Sequence, residues 1–325
     1  MTASLVLAGG NTMVMDLWGD QAASPMHSLH FGFGFGALLA PQIARPFLGP
    51  EEETFPNAST ESPANIEDLS RIEIPYTIAA ILIFLFSLVI LGFYIKGAPK
   101  GFPMRKNSKN ILKMASPGSC TSGHVMFGVA MFVCLFIYFI QAVGGERAYG
   151  KFLFSFAYET GLMDKDLASV LQSVFWLSFT TARLLGVPLA KFLPLNVIII
   201  GDICLALFSS VMLAIFAVDN AVFLWVFTIG IGFAIAVVFP NGMSWANLHM
   251  QMNSVGTMVF LVGGSVGGFI YQYLTGYLFE NKGEASLMYV MVGWSCLLGL
   301  SYVAMTVVSK VMNPGKTEYE MEMKV

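Results

Sequence analysis

The stretch HVMFGVAMFVCLFIYFI, His124 to Ile140, contains no Asp, Glu, Lys or Arg. A helix of about 20 such residues, at about 1.5 Å per residue, crosses the roughly 30 Å hydrocarbon layer of a bilayer. Comparable apolar runs recur near 2–18, 29–48, 72–96, 124–147, 167–189, 196–217, 221–241, 255–279 and 285–309. Backbone inside hydrocarbon must satisfy its own hydrogen bonds, which leaves helices or closed barrels. The runs are continuous and lack the two-residue alternation of barrel strands, so they predict helices. The expected fold class is therefore an all-α integral membrane protein with nine transmembrane helices. The first run is the weakest, because Asn11 and Asp16 interrupt it, and it has no basic region in front of it as a cleavable signal would.

Composition agrees. Of 325 residues, 56% are hydrophobic and 11% are charged. Soluble domains carry about 25% charged residues. The lipid bilayer is thus the expected partner. No basic stripe or binding motif points to nucleic acid. Cys134, Cys204 and Cys296 fall inside predicted spans and Cys120 in a connecting stretch, so no disulfide framework is expected.

Charge sets the expected orientation. Residues 96–113 hold Lys96, Lys100, Arg105, Lys106, Lys109 and Lys113 without an acid. Residues 49–71 hold Glu51, Glu52, Glu53, Glu61, Glu67 and Asp68 against Arg71. The positive-inside rule places the first stretch in the cytosol and the second outside. Asn57-Ala58-Ser59, a glycosylation sequon, lies in the acidic loop, in agreement. Passage of that loop through the secretory route makes the plasma membrane the expected address.

The basic stretch separates three spans from six. Many secondary transporters are two six-helix halves, each a pair of inverted three-helix repeats. A 3 + 6 arrangement reads as such a protein without its first three helices. The expected organisation is a partial N-terminal half (1–97, outer loop 49–71), a cytosolic linker (98–123), a six-helix half (124–311) and a cytosolic tail (312–325).

Particular residues carry a resemblance. LAGGNTMVMDLWG (7–19) and LHFGFGFGALLAP (29–41) resemble the fourth and fifth helices of major facilitator superfamily proteins of the sodium-dependent glucose transporter type. VGGERAYGKFLFSFA (143–157) resembles their seventh helix, SVFWLSFTTARLLGVPLA (173–190) the eighth and FPNGMSW (239–245) the end of the tenth. The resemblance implies an incomplete form of that twelve-helix fold. It also implies uptake of a small polar solute, glucose or a related hexose, with sodium as coupling ion and no other cofactor. Two positions depart from the family pattern and bear on sodium. Leu7 stands where an acid precedes the GGN, and Gly268 where a Glu follows the small-residue run.

Glu146 and Arg147 come next. An ionised group at mid-bilayer costs about 2.5–3.5 kcal/mol on insertion scales. It persists at an interface, beside a partner, or in a wet cavity. A helix that starts at His124 puts Glu146 about 33 Å along, on the exit turn. If the hydrocarbon starts nearer Val129, Gln141 lies near the middle and Glu146 in the outer half, facing a cavity. Both placements fit the residues. The resemblance keeps the acid and Tyr149, but not the arginine. The expected solute or sodium contacts are therefore Gln141, Glu146 and Tyr149, with Arg147 turned outward.

Arg183 and Asp202 sit nine residues before and ten after the centre of one loop, near Phe192. In an antiparallel hairpin they reach about equal depth, roughly 14 Å from the loop, and can pair. The expectation is a cytosolic-side clamp able to act as a gate.

Asn11, Trp176 and Gln272 complete the expected solute contacts, since amides both donate to and accept from sugar hydroxyls and Trp suits the CH-rich face of a pyranose. An interhelical hydrogen bond is the plainer role for any one amide. Asn241 and Trp245 lie near a predicted cytosolic end, which favours interfacial anchoring. FGFGFG (31–36) lacks a preceding strand and reads as a helix-packing surface rather than a phosphate cradle. His27 and His30 alone are too few for a metal site. No catalytic constellation appears, so an enzyme is not expected. A secondary transporter is the leading function. A shortened, non-transporting relative is the alternative, ahead of a membrane receptor.

Overall fold

A computed structural model describes residues 10–15, 17–44, 47, 71, 73–96 and 116–312. The basic linker from 97 to 115, the acidic loop from 48 to 70 with Asn57, and the tail from 313 lie outside the described residues. The described chain is helical. Residues 10–15 form a helical segment, followed by a 3-10 turn at Gly19–Gln21. The helices are α1 (Ala23–Ala44), α2 (Glu73–Lys96), α3 (Val125–Glu159), α4 (Lys165–Phe192), α5 (Leu195–Phe216), α6 (Ala221–His249), α7 (Ser254–Lys282) and α8 (Ser286–Val311).

Seven of these, α2 to α8, are long and apolar enough to cross a membrane. Nine spans are expected from the sequence, so two need explanation. Residues 1–9 of the first run lie outside the described residues. Helix α1 has the length, at 22 residues. His27, His30 and Gln42 lower its hydropathy.

The helix ends follow local chemistry. The Asp164 carboxylate accepts from the Leu167 N–H at 2.8 Å and caps α4. Asn220 caps α6 through the Val222 N–H at 2.9 Å, and Asn253 caps α7 through the Gly256 N–H at 2.8 Å. Each side chain satisfies one of the amide donors that a helix start leaves over. Gly283, at φ 92°, ends α7 in a conformation that a side chain disfavours.

The largest departure from expectation is α3. It runs to Glu159, 35 residues in all, twelve beyond the predicted end at 147. That is about 52 Å of helix. The exit-turn placement of Glu146 is thereby corrected, because the helix continues another 13 residues past it. Gly144 and Gly145 followed by two charges look like a terminus. They are instead a contact surface. A Cβ on Gly144 would overlap the Tyr271 ring, and one on Gly145 the Trp294 indole.

Two compact units are present: Met1–Gly34 with Lys106–Val325, and Phe35–Arg105. The second holds the later part of α1 and all of α2, a helix apolar around its whole circumference. In the first, α3 packs most extensively on α7. Glycines make the close approach possible. A Cβ on Gly263 would lie 3.0 Å from the Phe136 carbonyl oxygen, and one on Gly267 would overlap the Ile140 carbonyl. Phe139 of α3 stacks on Phe260 of α7 with ring centres 4.8 Å apart. Between membrane helices such van der Waals contact replaces the hydrophobic drive available in water. The glycine runs thus act as expected on α7. In the 31–36 run Gly34 lies against Thr180 of α4, whereas Gly32 faces open space.

Helices α4 and α5, adjacent in sequence, each pack on α6 rather than on each other. This arrangement decides the partners of Arg183 and Asp202.

Candidate functional site

Arg183 on α4 is 2% exposed and reaches three other helices. Its Nε donates to the Ala236 carbonyl of α6 at 2.9 Å. Its Nη1 donates to the His30 carbonyl of α1 at 2.8 Å. Its Nη2 lies 3.8 Å from Glu146 Oε2 of α3. Phe179 and Phe33 flank the guanidinium, with centroids 4.1 and 5.2 Å from its carbon. Burying a guanidinium is costly unless its donors are met. Here two carbonyls, a carboxylate and two aromatic faces meet them.

The expected Arg183–Asp202 clamp is not formed. Equal depth on consecutive helices pairs two side chains only if the helices touch, and α6 stands between these two. Asp202 instead accepts from Asn241 Nδ2 at 2.8 Å, and Asn241 Oδ1 lies 3.0 Å from His27 Nε2. These three residues form a polar chain from α1 through α6 to α5. Asn241 is fully buried, which corrects its reading as an interfacial anchor. Trp245 is also buried, and stacks on His249 at 3.8 Å between ring centres. Helix α6 runs on past both residues to His249, so neither stands at its end.

A cavity of about 420 Å³ opens beside the Glu146–Arg183 pair. Its polar lining comprises Glu146, Arg147, Arg183, His30, Ser265 and Gln272, and its apolar walls include Phe33, Phe239 and Leu261. Gly264 and Gly268 complete the α7 side. Arg147 faces this cavity, with its stem over Gly268, where a Cβ would sit 3.3 Å from Arg147 Cγ. The expected outward-turned Arg147 is exposed, but on the cavity side.

Of the expected solute contacts, Glu146 and Gln272 line the cavity; the rest do not. Gln141 is buried between helices: its Oε1 accepts the Tyr271 hydroxyl and its carbonyl accepts Trp294 Nε1 at 2.7 Å. Tyr149 is buried, with its hydroxyl 2.7 Å from Thr228 Oγ1 and its ring against Phe175. Trp176 packs edge-on against Phe175 and Phe179. Asn11 is fully buried away from the cavity, and its amide atoms have no hydrogen-bond partner among the described residues. Sequence reasoning missed His30, Phe33, Ser265 and Phe239. His30 follows His27 by three residues and Phe33 follows His30 by three, a spacing that makes successive members neighbours on one side of a helix. That periodicity is the signal that was available.

Among the described residues no cluster of three or more His, Cys, Asp or Glu could hold a metal ion. What the arrangement offers is a cavity of about 420 Å³ with hydrogen-bonding walls among apolar helices.

The fold belongs to a known class. The chain superimposes on a crystal structure of FucP, a major facilitator superfamily transporter, in its outward conformation. The TM-score is 0.70 at 15% identity, over 93% of this chain and 72% of that one. The fold is thus that of the major facilitator superfamily, in a multi-pass membrane protein. More particularly, the chain is similar in sequence to the sodium-dependent glucose transporter 1 proteins. It is 28% identical over 310 residues to the human one, covering 90% of this chain and 57% of that protein. Against the Xenopus laevis protein it is 28% identical over 316 residues, covering 94% and 61%. Human major facilitator superfamily domain-containing protein 4A is 22% identical over 375 residues, covering 94% and 71%. The chain thus spans less than two thirds of the length of the two glucose transporters. No family model matches the chain.

Proposed function

We propose that the chain carries out, or forms the larger part of, secondary transport of a hexose such as glucose across the plasma membrane, by alternating access around the Glu146–Arg183 cavity. The observation that carries this reading is the cavity itself. A charged pair and further hydrogen-bonding groups line a space of about 420 Å³ inside an otherwise apolar bundle. A site this polar is expensive in a membrane unless it serves solute passage. In transporters of this architecture, sites sit where the repeats meet. The names of the relatives support a sugar as solute and sodium as coupling ion.

Glu146 is the carboxylate lining the cavity among the described residues, and is the group we assign to sodium. Its 3.8 Å distance from Arg183 Nη2 exceeds a hydrogen bond, which leaves its oxygens able to take a cation in exchange. The test is uptake of labelled D-glucose into liposomes that hold the purified chain. Saturable uptake that falls when sodium is replaced by potassium is expected. Uptake equal to that of empty liposomes would end the transport reading. Equal uptake in both salts would end the sodium assignment alone.

A further inference from the structure

The cavity lining holds two guanidiniums, Arg147 and Arg183, against one carboxylate, Glu146. Arg183 is committed: two carbonyls take its Nε and Nη1, and Glu146 faces its Nη2. Arg147 differs in every respect. It is exposed, it faces the cavity, and it has no hydrogen bond or ion pair among the described residues. The wall beneath it is Gly268, which leaves its guanidinium room to turn.

A lone guanidinium at a cavity with low-dielectric walls draws in an anion, because such walls focus its field. Its planar fork matches a carboxylate with two parallel hydrogen bonds. A neutral hexose offers only hydroxyls and leaves the surplus positive charge uncompensated. Hydroxyls have partners elsewhere in the lining. The Gln272 amide is one. His30 Nε2, buried and without a partner among the described residues, is another. Ser265 is less available, since its hydroxyl donates to the Leu261 carbonyl.

We propose that this cavity takes a hexose bearing a carboxylate, of the hexuronate class, in preference to a neutral hexose, with Arg147 as the specificity-determining residue. The proposal rests on the reading of this cavity as the solute site.

Equilibrium binding to the purified full chain tests it without requiring flux. D-Glucuronate and D-glucose are titrated separately, and binding is followed by calorimetry. D-Glucuronate is expected to bind at least about tenfold more tightly, the scale of one added charge-assisted contact. The advantage shrinks as salt rises, because the site is open to screening. Arg147→Gln brings the ratio of the two affinities to about 1, and Arg147→Lys, which keeps the charge, retains most of it. Equal or tighter binding of D-glucose overturns the proposal, as does a ratio that Arg147→Gln leaves unmoved, or binding of neither sugar. Preferred D-glucuronate binding without uptake in liposomes would sustain this proposal while ending the transport reading. D-Glucose uptake with no charge preference would do the reverse.

Discussion

Two buried polar clusters join α1 to the six later helices, and they are built differently. In one, Glu146, Arg183 and the His30 carbonyl border an open cavity. In the other, His27, Asn241 and Asp202 form a chain whose members do not line that cavity. The first sets full charges face to face at 3.8 Å, without closing the pair into a hydrogen bond. The second closes every link at 2.8–3.0 Å through a neutral amide. A slack pair beside a cavity can exchange partners with a solute or ion. A tight chain of short links holds helices together. The difference separates groups that serve the solute from groups that serve the fold, although both are equally unusual in a sequence this apolar.

Substitutions can break that distinction or sharpen it. Arg183→Ala has the largest expected effect, because it strips the His30 and Ala236 carbonyls of a donor and leaves Glu146 buried without its cation. Removing one member of a buried pair costs about 3–5 kcal/mol. Thermal unfolding in detergent should show that loss, and uptake should fall to background. Near-normal values for both would mean that Arg183 belongs with neither cluster.

Asn241→Ala comes next. It leaves His27 and Asp202 unpartnered at the cost of buried polar groups, about 1–3 kcal/mol. Solute affinity in the surviving folded protein should stay within about twofold, a shift of under 0.5 kcal/mol. A large change in affinity would erase the proposed division of labour.

Glu146→Gln inverts that pattern. Shape is kept and two carbonyls still hold Arg183, so the unfolding loss should be smaller than for Arg183→Ala, while solute or sodium affinity falls about tenfold, or 1.4 kcal/mol. Titration of both ligands separates the two effects. Smallest is Tyr149→Phe, which removes the hydrogen bond to Thr228. The expected loss is about 1 kcal/mol of stability with unchanged uptake kinetics. A raised KM for solute would return Tyr149 to the site, where the sequence had placed it.

The site was legible in part, and the reason is geometric. Glu146, Arg183 and Gln272 could be singled out because charge and amide groups within apolar runs need explaining. Gln141 satisfied the same criterion, and Tyr149 was chosen by the resemblance; both turned out to be packing contacts between helices. Spacing along one helix gives depth and face, but not which neighbouring helix that face meets. His30 was weighed only as a metal ligand, because its contribution here is partly a backbone carbonyl, which no residue identity reveals. The end of α3 was misplaced because Gly144-Gly145-Glu146-Arg147 has the composition of a helix terminus. Trp294 and Tyr271, far along the chain, fill the space those glycines leave.

The sequence alone determined that this chain lives in lipid as helices, and roughly where each run lies. Those are properties of short segments: apolar length and the lack of charge within it. Only the tertiary structure decided that Arg183 faces Glu146 rather than Asp202, that Arg147 overlooks a cavity, and that α6 keeps α4 from α5. Such facts depend on which helix lies beside which, and lipid solvates an apolar helix face without indicating its neighbour. Close contacts of glycine and aromatic side chains, made between residues more than a hundred positions apart, supply that choice.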